Sequence, residues 1–371
     1  MSSNVFITKI EVKDHPYIDP VSIELSTDKK RSLIITGKNG TGKTTLLQQV
    51  SGHLDHLLNG IYPITDERYD NSWVTFRLDS TSPPQQNVYN PSTLTVAIFS
   101  AKRKANLSKV TAIKAPQAEE IGVRQSASDQ FLQYLVNRKS QQAFATTEGE
   151  DAKAANIKNW FDNLNNYFSD IFEKPVKFKF NSDKLAFTLI DKQNKVIDLN
   201  LLSDGYSAII HIFTDIIMRM EVHKFGDYSQ NGIVLIDEVE THLHVALQKQ
   251  ILPLLMTFFP NIQFIVTTHS PFVLSSVEDV LIYDMERHEL IDQEADLWQY
   301  SYEALVEGYF ETEKFSLVLK KKIARYKTLV SQTSLEREEK KELRQLEKTL
   351  SNVPTYKNQA IERELKTLGL K

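Results

Sequence analysis

Three short stretches of the chain carry residue types that together can bind and cleave a polyphosphate. The first, Gly37-Lys38-Asn39-Gly40-Thr41-Gly42-Lys43-Thr44-Thr45, sits between the apolar run Leu33–Thr36 and a helix-period segment with Leu46, Leu47 and Val50. Triphosphate needs many donors in a small arc. Glycines 37, 40 and 42 let backbone N–H groups converge, and the start of the following helix adds the positive end of its dipole. Lys43 supplies a point charge for the β- and γ-phosphates, and the Thr44 hydroxyl can coordinate Mg2+. The second stretch, Ile233–Ile236 followed by Asp237 and Glu238, is a buried-type strand ending in adjacent carboxylates. Consecutive strand residues point to opposite faces, so the two take separate tasks: Asp237 holds the metal and Glu238 orients or deprotonates the attacking water. Without the upstream loop, a solvated acidic turn would be the better reading. The third, Thr268-His269-Ser270 after the strand Gln263–Thr267, places a histidine that can hydrogen-bond a γ-phosphate; a packing histidine is the alternative. ATP and Mg2+ are therefore the expected ligands, with Lys43, Glu238 and His269 the expected catalytic set.

A fourth stretch is incomplete by itself. Leu202-Ser203-Asp204-Gly205-Tyr206 precedes a long apolar helix, and Ser203 there is either a plain helix N-cap or part of a second anion site. No phosphate remains for it once the Gly37–Thr45 loop has taken one, which points to a dimer. His242-Leu-His244 could pair on zinc, but no third ligand cluster accompanies it. Lys102-Arg103-Lys104 and Lys320-Lys321-Lys322, the latter with Arg325 and Lys327, are dense basic runs. Each is either a solvated face or a contact for a DNA or RNA backbone.

The elements that must position these residues can be read from periodicity. Strands are expected at Phe6–Val12, Val21–Leu25, Leu33–Thr36, Val74–Leu78, Leu94–Phe99, Val176–Phe180, Leu185–Ile190 and Val196–Leu199, besides the two buried strands above. A polar stretch from residue 101 has its best-ordered part in a helix with Ile157, Trp160, Phe161, Leu164, Phe168 and Ile171 on one side. A long helix runs from about Ser203 to Val222, and Thr333 with Glu336 forms a capping box opening Leu335–Leu350. The resulting division is 1–100 and 176–300 for a split α/β body, 101–175 for a helical insertion and 301–371 for a helical extension. That extension holds 15 Lys and Arg against 11 Glu and no Asp, whereas the whole chain of 371 residues carries a net charge of −4. Any nucleic-acid contact must then come from a local patch. Zero cysteines exclude disulfide, thiol and Cys-zinc chemistry. With neither a signal-peptide pattern nor a membrane-length apolar run, a cytoplasmic protein is expected.

Gly37–Thr45, Leu202–Tyr206, Ile233–Glu238 and Thr268–Ser270, in this order, resemble the ABC-type ATPase heads of the group containing SMC proteins, RecF and the OLD-family ATPases. The fragment Leu235–His244 and Ser203–Tyr206 most resemble the small ATPases of bacterial anti-phage systems such as Septu, PARIS and some retron modules. The resemblance covers about residues 1–100 and 176–285. It implies a P-loop α/β fold with a mixed sheet and flanking helices. It implies too that two heads enclose two ATP molecules, each held by one loop and capped in trans by Ser203, Asp204, Gly205 and Tyr206 of the other, with hydrolysis at Glu238. Glu240, His242 and His244 then form a dimer-contact loop, and an effector, a nuclease or toxin, is the expected partner. A RecF-like DNA-repair ATPase and a non-catalytic scaffold are the alternatives. A transporter subunit would need a lid loop and a membrane-coupling surface, neither of which is identifiable. Asp204 and Tyr206 stand where transporter heads usually have Gly and Gln, as in many non-transporter relatives; no glutamine lid can be assigned after Leu94–Phe99; and Tyr17 is either an adenine-stacking ring or a turn residue beside Pro16. Leu305-Val-Glu307-Gly308 with Glu311 and Glu313 is similar to the opening of a TOPRIM nuclease, but no Asp follows residue 300. The expectation is that no nuclease site lies in this chain.

Overall fold

Short uninterrupted runs of β-branched and leucine residues become strands covered on both faces, and longer amphipathic runs become the helices that cover them. A computed structural model describes residues 5–58, 72–78, 94–108, 110, 112–113, 122, 124–223, 225–291, 297–299, 304–305, 317–332, 334–352, 363 and 366–369. In chain order the first part holds β1 (Val5–Val12), β2 (Val21–Glu24), β3 (Ser32–Thr36), α1 (Lys43–Leu58), β4 (Ser72–Leu78) and β5 (Thr95–Phe99). Next come α2 (Phe131–Thr147), α3 (Asp151–Ile171), β6 (Val176–Asn181), β7 (Ala186–Asp191), β8 (Val196–Ile197) and α4 (Asp204–His223). They are followed by β9 (Gly232–Ile236), α5 (Val245–Phe258), β10 (Ile262–Thr267), α6 (Pro271–Leu274), β11 (Val280–Asp284) and β12 (Glu289–Ile291), and finally by α7 (Leu317–Ser331) and α8 (Arg337–Ser351). The chain divides into two compact units, residues 1–300 and 301–371.

The first unit is a P-loop α/β fold. Its central sheet has the order β12-β11-β3-β10-β9-β5, and every described pairing is parallel except that of β12. Register brings the C-terminal ends of five strands to one edge: Asp284 faces Thr36, Thr267 faces Ile35, Val266 faces Ile236, and Ile236 faces Phe99. Loops leaving these strands therefore share a crevice, the place where open α/β sheets bind ligands. A second sheet, β2-β1-β4, is antiparallel. Buried Gln263 stitches it to β10, donating to Ile7 O (3.0 Å) and Arg31 O (2.8 Å) and accepting from Ile7 N (2.7 Å). The hairpin-built sheet β6-β7-β8 packs against α2 and α3 through Phe131, Phe168, Phe178 and Phe187.

Helix α4 is buried nearly all round, so its polar residues need partners. Asp215 and Arg219 pair at 2.6 Å, and Arg219 also donates to Val96 O on β5 (3.1 Å). Glu221 accepts from Tyr228 (2.8 Å), Trp160 Nε1 (3.1 Å) and the Tyr134 hydroxyl. In the second unit Ile323, Tyr326 and Leu350 form the core between α7 and α8.

Several expectations shift. The capping box at α8 is Glu336 with Glu339, not Thr333 with Glu336. Glu336 accepts from the third-residue amide while its own N–H donates to Glu339 (3.0 Å), so the helix starts at Arg337; Thr333 lies outside the described residues. Strands β11 and β12 and helices α2 and α5 were not anticipated. Pro253 inside α5 makes that apolar run read as interrupted, and the polar surface of α2 hides its buried stripe. Glu307, Gly308, Glu311 and Glu313 lie outside the described residues. Among the described residues no helix is long and apolar enough to cross a membrane.

Candidate functional site

The loop after β3 enters α1 through Gly42, whose φ of +91° suits glycine. A Cβ there would stand 1.8 Å from Ile18 Cγ2, so glycine is also required for space. Lys43 is buried, and its ammonium donates to Gly37 O (2.9 Å), Lys38 O (2.8 Å) and Thr41 Oγ1 (3.4 Å). Burial pulls its pKa below the ordinary lysine value, against the opposing pull of Glu238, Glu240, Asp237 and Asp284. Next along α1, Thr44 Oγ1 donates to Asp237 at 3.0 Å, joining two residues far apart in sequence. Asp237 also accepts from Thr267 Oγ1 at 2.6 Å. A hydroxyl beside one carboxylate suits Mg2+, which keeps several waters and phosphate oxygens as ligands rather than a protein cage. Among the described residues there is no group of three or more His, Cys, Asp or Glu that could hold a metal ion.

Glu238 leaves the strand in a left-handed conformation, φ +45°, an uncommon state for a non-glycine residue and one that recurs at functional sites. Its N–H donates to Thr267 Oγ1 (2.7 Å), and its carboxylate accepts from Thr241 Oγ1 (3.0 Å). Thr267 thus bridges the two acids, a role that the sequence reading missed. His269 lies at the same edge. Burial first, and then the Lys43 charge, lower its pKa below the usual histidine value, while Glu240, Glu238 and the Gly37 backbone oppose that shift. The ring is therefore neutral at neutral pH, able to donate from one nitrogen. Lys43, Thr44, Asp237, Glu238 and His269, supplied from the ends of β3, β9 and β10, thus share one crevice.

The Glu240 carboxylate accepts from Thr268 Oγ1 (2.7 Å) and His269 N (2.6 Å), holding the loop that carries the histidine. His242 and His244 remain exposed. The Ser203–Tyr206 segment divides likewise. Ser203 and Asp204 are exposed at the start of α4, whereas Gly205 is buried so tightly that a Cβ would meet His242 O at 2.9 Å. Tyr206 stacks on Phe172 with ring centroids 5.0 Å apart. Half of the segment thus serves packing.

Lys102-Arg103-Lys104 is not a uniform basic face. Lys102 and Lys104 are exposed, but Arg103 is buried, because four main-chain carbonyls of the crevice wall need its donors. In the second unit, Arg325 is committed to Glu342 through two bonds of 3.0 and 2.7 Å, although Lys321 stands exposed on α7. Tyr17 is 77% exposed, and its carbonyl lies 3.4 Å from where a Cβ on Gly42 would stand.

Comparison with known proteins shows the family, by a match that begins after the phosphate loop. The family described as AAA ATPase domain matches residues 52–274. The Septu protein PtuA of Bacillus mycoides (strain KBAB4) is 26% identical over 377 residues, covering 93% of this chain and 50% of that protein. The "Retron Ec83 probable ATPase" of Escherichia coli is 39% identical over 98 residues, which is 26% of this chain and 18% of that protein. The chain thus spans half or less of the length of these curated relatives. Of the solved structures, the SMC head domain from Thermotoga maritima aligns with a TM-score of 0.40 and 15% identity, over 75% of this chain and 94% of that one.

Proposed function

Because the chain belongs to the AAA ATPase domain family, we propose that it binds MgATP, pairs with a second copy around the nucleotide, hydrolyses it, and controls an associated nuclease or toxin in bacterial anti-phage defence. The observation that carries this reading is the shared crevice: Lys43 and Thr44 from the phosphate loop meet Asp237, and Glu238 and His269 stand beside them. The loop amides and Lys43 would bind the phosphates, and Thr44 and Asp237 would hold Mg2+, which when bound would supply charge neutralisation for the transferring phosphoryl group. Glu238 accepts a proton from the attacking water, and neutral His269 donates to the γ-phosphate. The exposure of Ser203 and Asp204 supports a role for this segment at the nucleotide of a second copy. The defence role rests on the names of the Septu and retron relatives.

One preparation tests the reading. Glu238→Gln should retain ATP affinity, lose about 10²- to 10⁴-fold in turnover, as removal of a general base does, and accumulate an ATP-dependent larger species in light scattering. Ser203→Arg should bind ATP yet fail to associate. Undiminished hydrolysis by Glu238→Gln removes its role; full turnover by a chain diluted to a strict monomer removes the paired site.

A further inference from the structure

Three consecutive carbonyls, those of Asp237, Glu238 and Val239, converge on a single side chain from the far side of β5. Arg103 Nη1 donates to Asp237 O (2.8 Å) and Ser100 O (2.9 Å), and Nη2 donates to Glu238 O (3.0 Å) and Val239 O (2.9 Å). The guanidinium is 8% exposed, and among the described residues it makes no ion pair. Burial draws its pKa down to about 10, while Glu240, Asp237 and Glu238 hold it charged. An apolar side chain would fill such a space at lower desolvation cost, and a lysine ammonium would concentrate its donors at one atom. A planar fork with separated N–H groups is what four carbonyls at different angles require.

We infer that Arg103 is the positioning residue of the hydrolytic site, holding the left-handed Glu238 turn by its main chain so that the carboxylate faces the phosphate crevice. The inference rests on the reading of Glu238 as the group that activates water. Arg103 is itself held from both sides. Asp237 N donates to Phe99 O at the end of β5, and residues 103–107 alternate inward and outward, burying Arg103, Ala105 and Leu107. Ala105 N donates to Ser207 Oγ on the first turn of α4 (3.0 Å), and Leu107 N donates to Asn200 Oδ1 (3.0 Å). The strap from Ser100 to Ser108 thus runs from the Glu238 turn to the segment flanking Ser203. Without the guanidinium the turn keeps its bonds to Thr267 and Thr241 but loses the clamp on three consecutive carbonyls. The phosphate loop and Lys43 are built on β3 and α1, and the Lys43 ammonium bonds within that loop rather than to the strap.

Arg103→Ala and Arg103→Lys in the full chain separate these effects. Both should lose about 10²-fold in kcat, the scale set by a misplacement near 1 Å, with ATP affinity and KM within about threefold of the parent. Millimolar guanidinium should restore part of the kcat of Arg103→Ala and leave the parent unaffected, a rescue that a generally loosened fold would not show. Turnover of either variant within twofold of the parent overturns the clamp, as does a loss of affinity matching the loss of kcat with no rescue. Arg103→Lys carries the test should the alanine variant not fold. Should Glu238→Gln also turn over normally, the fault lies with the catalytic assignment. Active Arg103 variants beside an inactive Glu238→Gln refute the clamp alone.

Discussion

Gly42→Ala probes the phosphate loop with a magnitude that the geometry supplies. Two penalties act. Holding an L-residue at φ +91° costs about 1–2 kcal/mol. The new Cβ would stand 1.8 Å from Ile18 Cγ2, so the Tyr17–Ile18 segment and the loop must separate. Overpacking of this kind costs about 1–3 kcal/mol. The sum, about 2–5 kcal/mol, falls on the loop that must shape the phosphate cradle, and ATP affinity should drop by a factor of about 30 or more. Nucleotide titration of the parent, Gly42→Ala, Ile18→Ala and the double variant separates the two penalties. Ile18→Ala removes the clashing methyl but opens a cavity of its own, for Ile18 is only 6% exposed. In the double variant the steric part should vanish, leaving a coupling of about 1–3 kcal/mol and a residual defect from φ. Parental affinity in Gly42→Ala would refute the argument, and simple additivity of the two substitutions would show that Ile18 is not the obstacle.

His53, buried on α1 with Nε2 3.0 Å from Ser72 Oγ, has its pKa pushed down to about 4, chiefly by burial. The unfolded chain protonates first, near 6.5, so stability is full above that pH and is lost as pH falls toward 4, by roughly 3 kcal/mol. Urea denaturation should show His53→Gln losing less than the parent between pH 7 and pH 4.5; equal losses would exclude the histidine as a cause. Glu221→Ala should cost about 3–5 kcal/mol, because it removes the buried carboxylate that accepts from Tyr134, Trp160 and Tyr228 and lies 3.7 Å from Arg138. A loss under about 1 kcal/mol in chemical denaturation would contradict that network's weight.

The residues that carry local signals were legible. Gly37–Thr45 announces a phosphate loop through glycine spacing between a strand and a helix, and Asp237 and Glu238 through their place at the end of an apolar run. The residues that act through main-chain groups elsewhere were not. Arg103 bonds carbonyls 134 to 136 residues away, and within Lys102-Arg103-Lys104 its charge reads as solvent-facing. The alternation from Arg103 through Ala105 to Leu107 was the available clue, since period-two burial places all three on one side. The bonds of Glu240 to Thr268 and the His269 amide give no sign in one dimension, where such a carboxylate looks like one at a surface. Thr267 gave no signal at all, since a threonine is ordinary at the end of a strand. Strand β11 was missed although Val280–Tyr283 is apolar and β-branched, because no chemical motif drew attention to it.

Charge bears on whether one chain can complete the proposed site. Around Lys43 stand Asp237, Glu238, Glu240 and Asp284; among the described residues Lys43 and Arg103 bring positive charge to the crevice, while burial and Lys43 lower the pKa of His269. Lys38 is already paired with Glu286. A triphosphate entering this crevice adds negative charge to a region where carboxylates outnumber cations. Mg2+ at Thr44 and Asp237 offsets part of it, and the N-terminus of α1 contributes about half a charge more. The remaining deficit falls at the γ-phosphate, farthest from α1 and nearest to Glu238. On the proposed reading, the exposed Ser203 hydroxyl and the main-chain amides at the start of α4 would serve the triphosphate of a second copy, since in its own chain Gly205 packs that helix start against the loop at His242. The excess of carboxylates in the crevice is the reason such added donors would matter, and the proposed pairing is what would bring them.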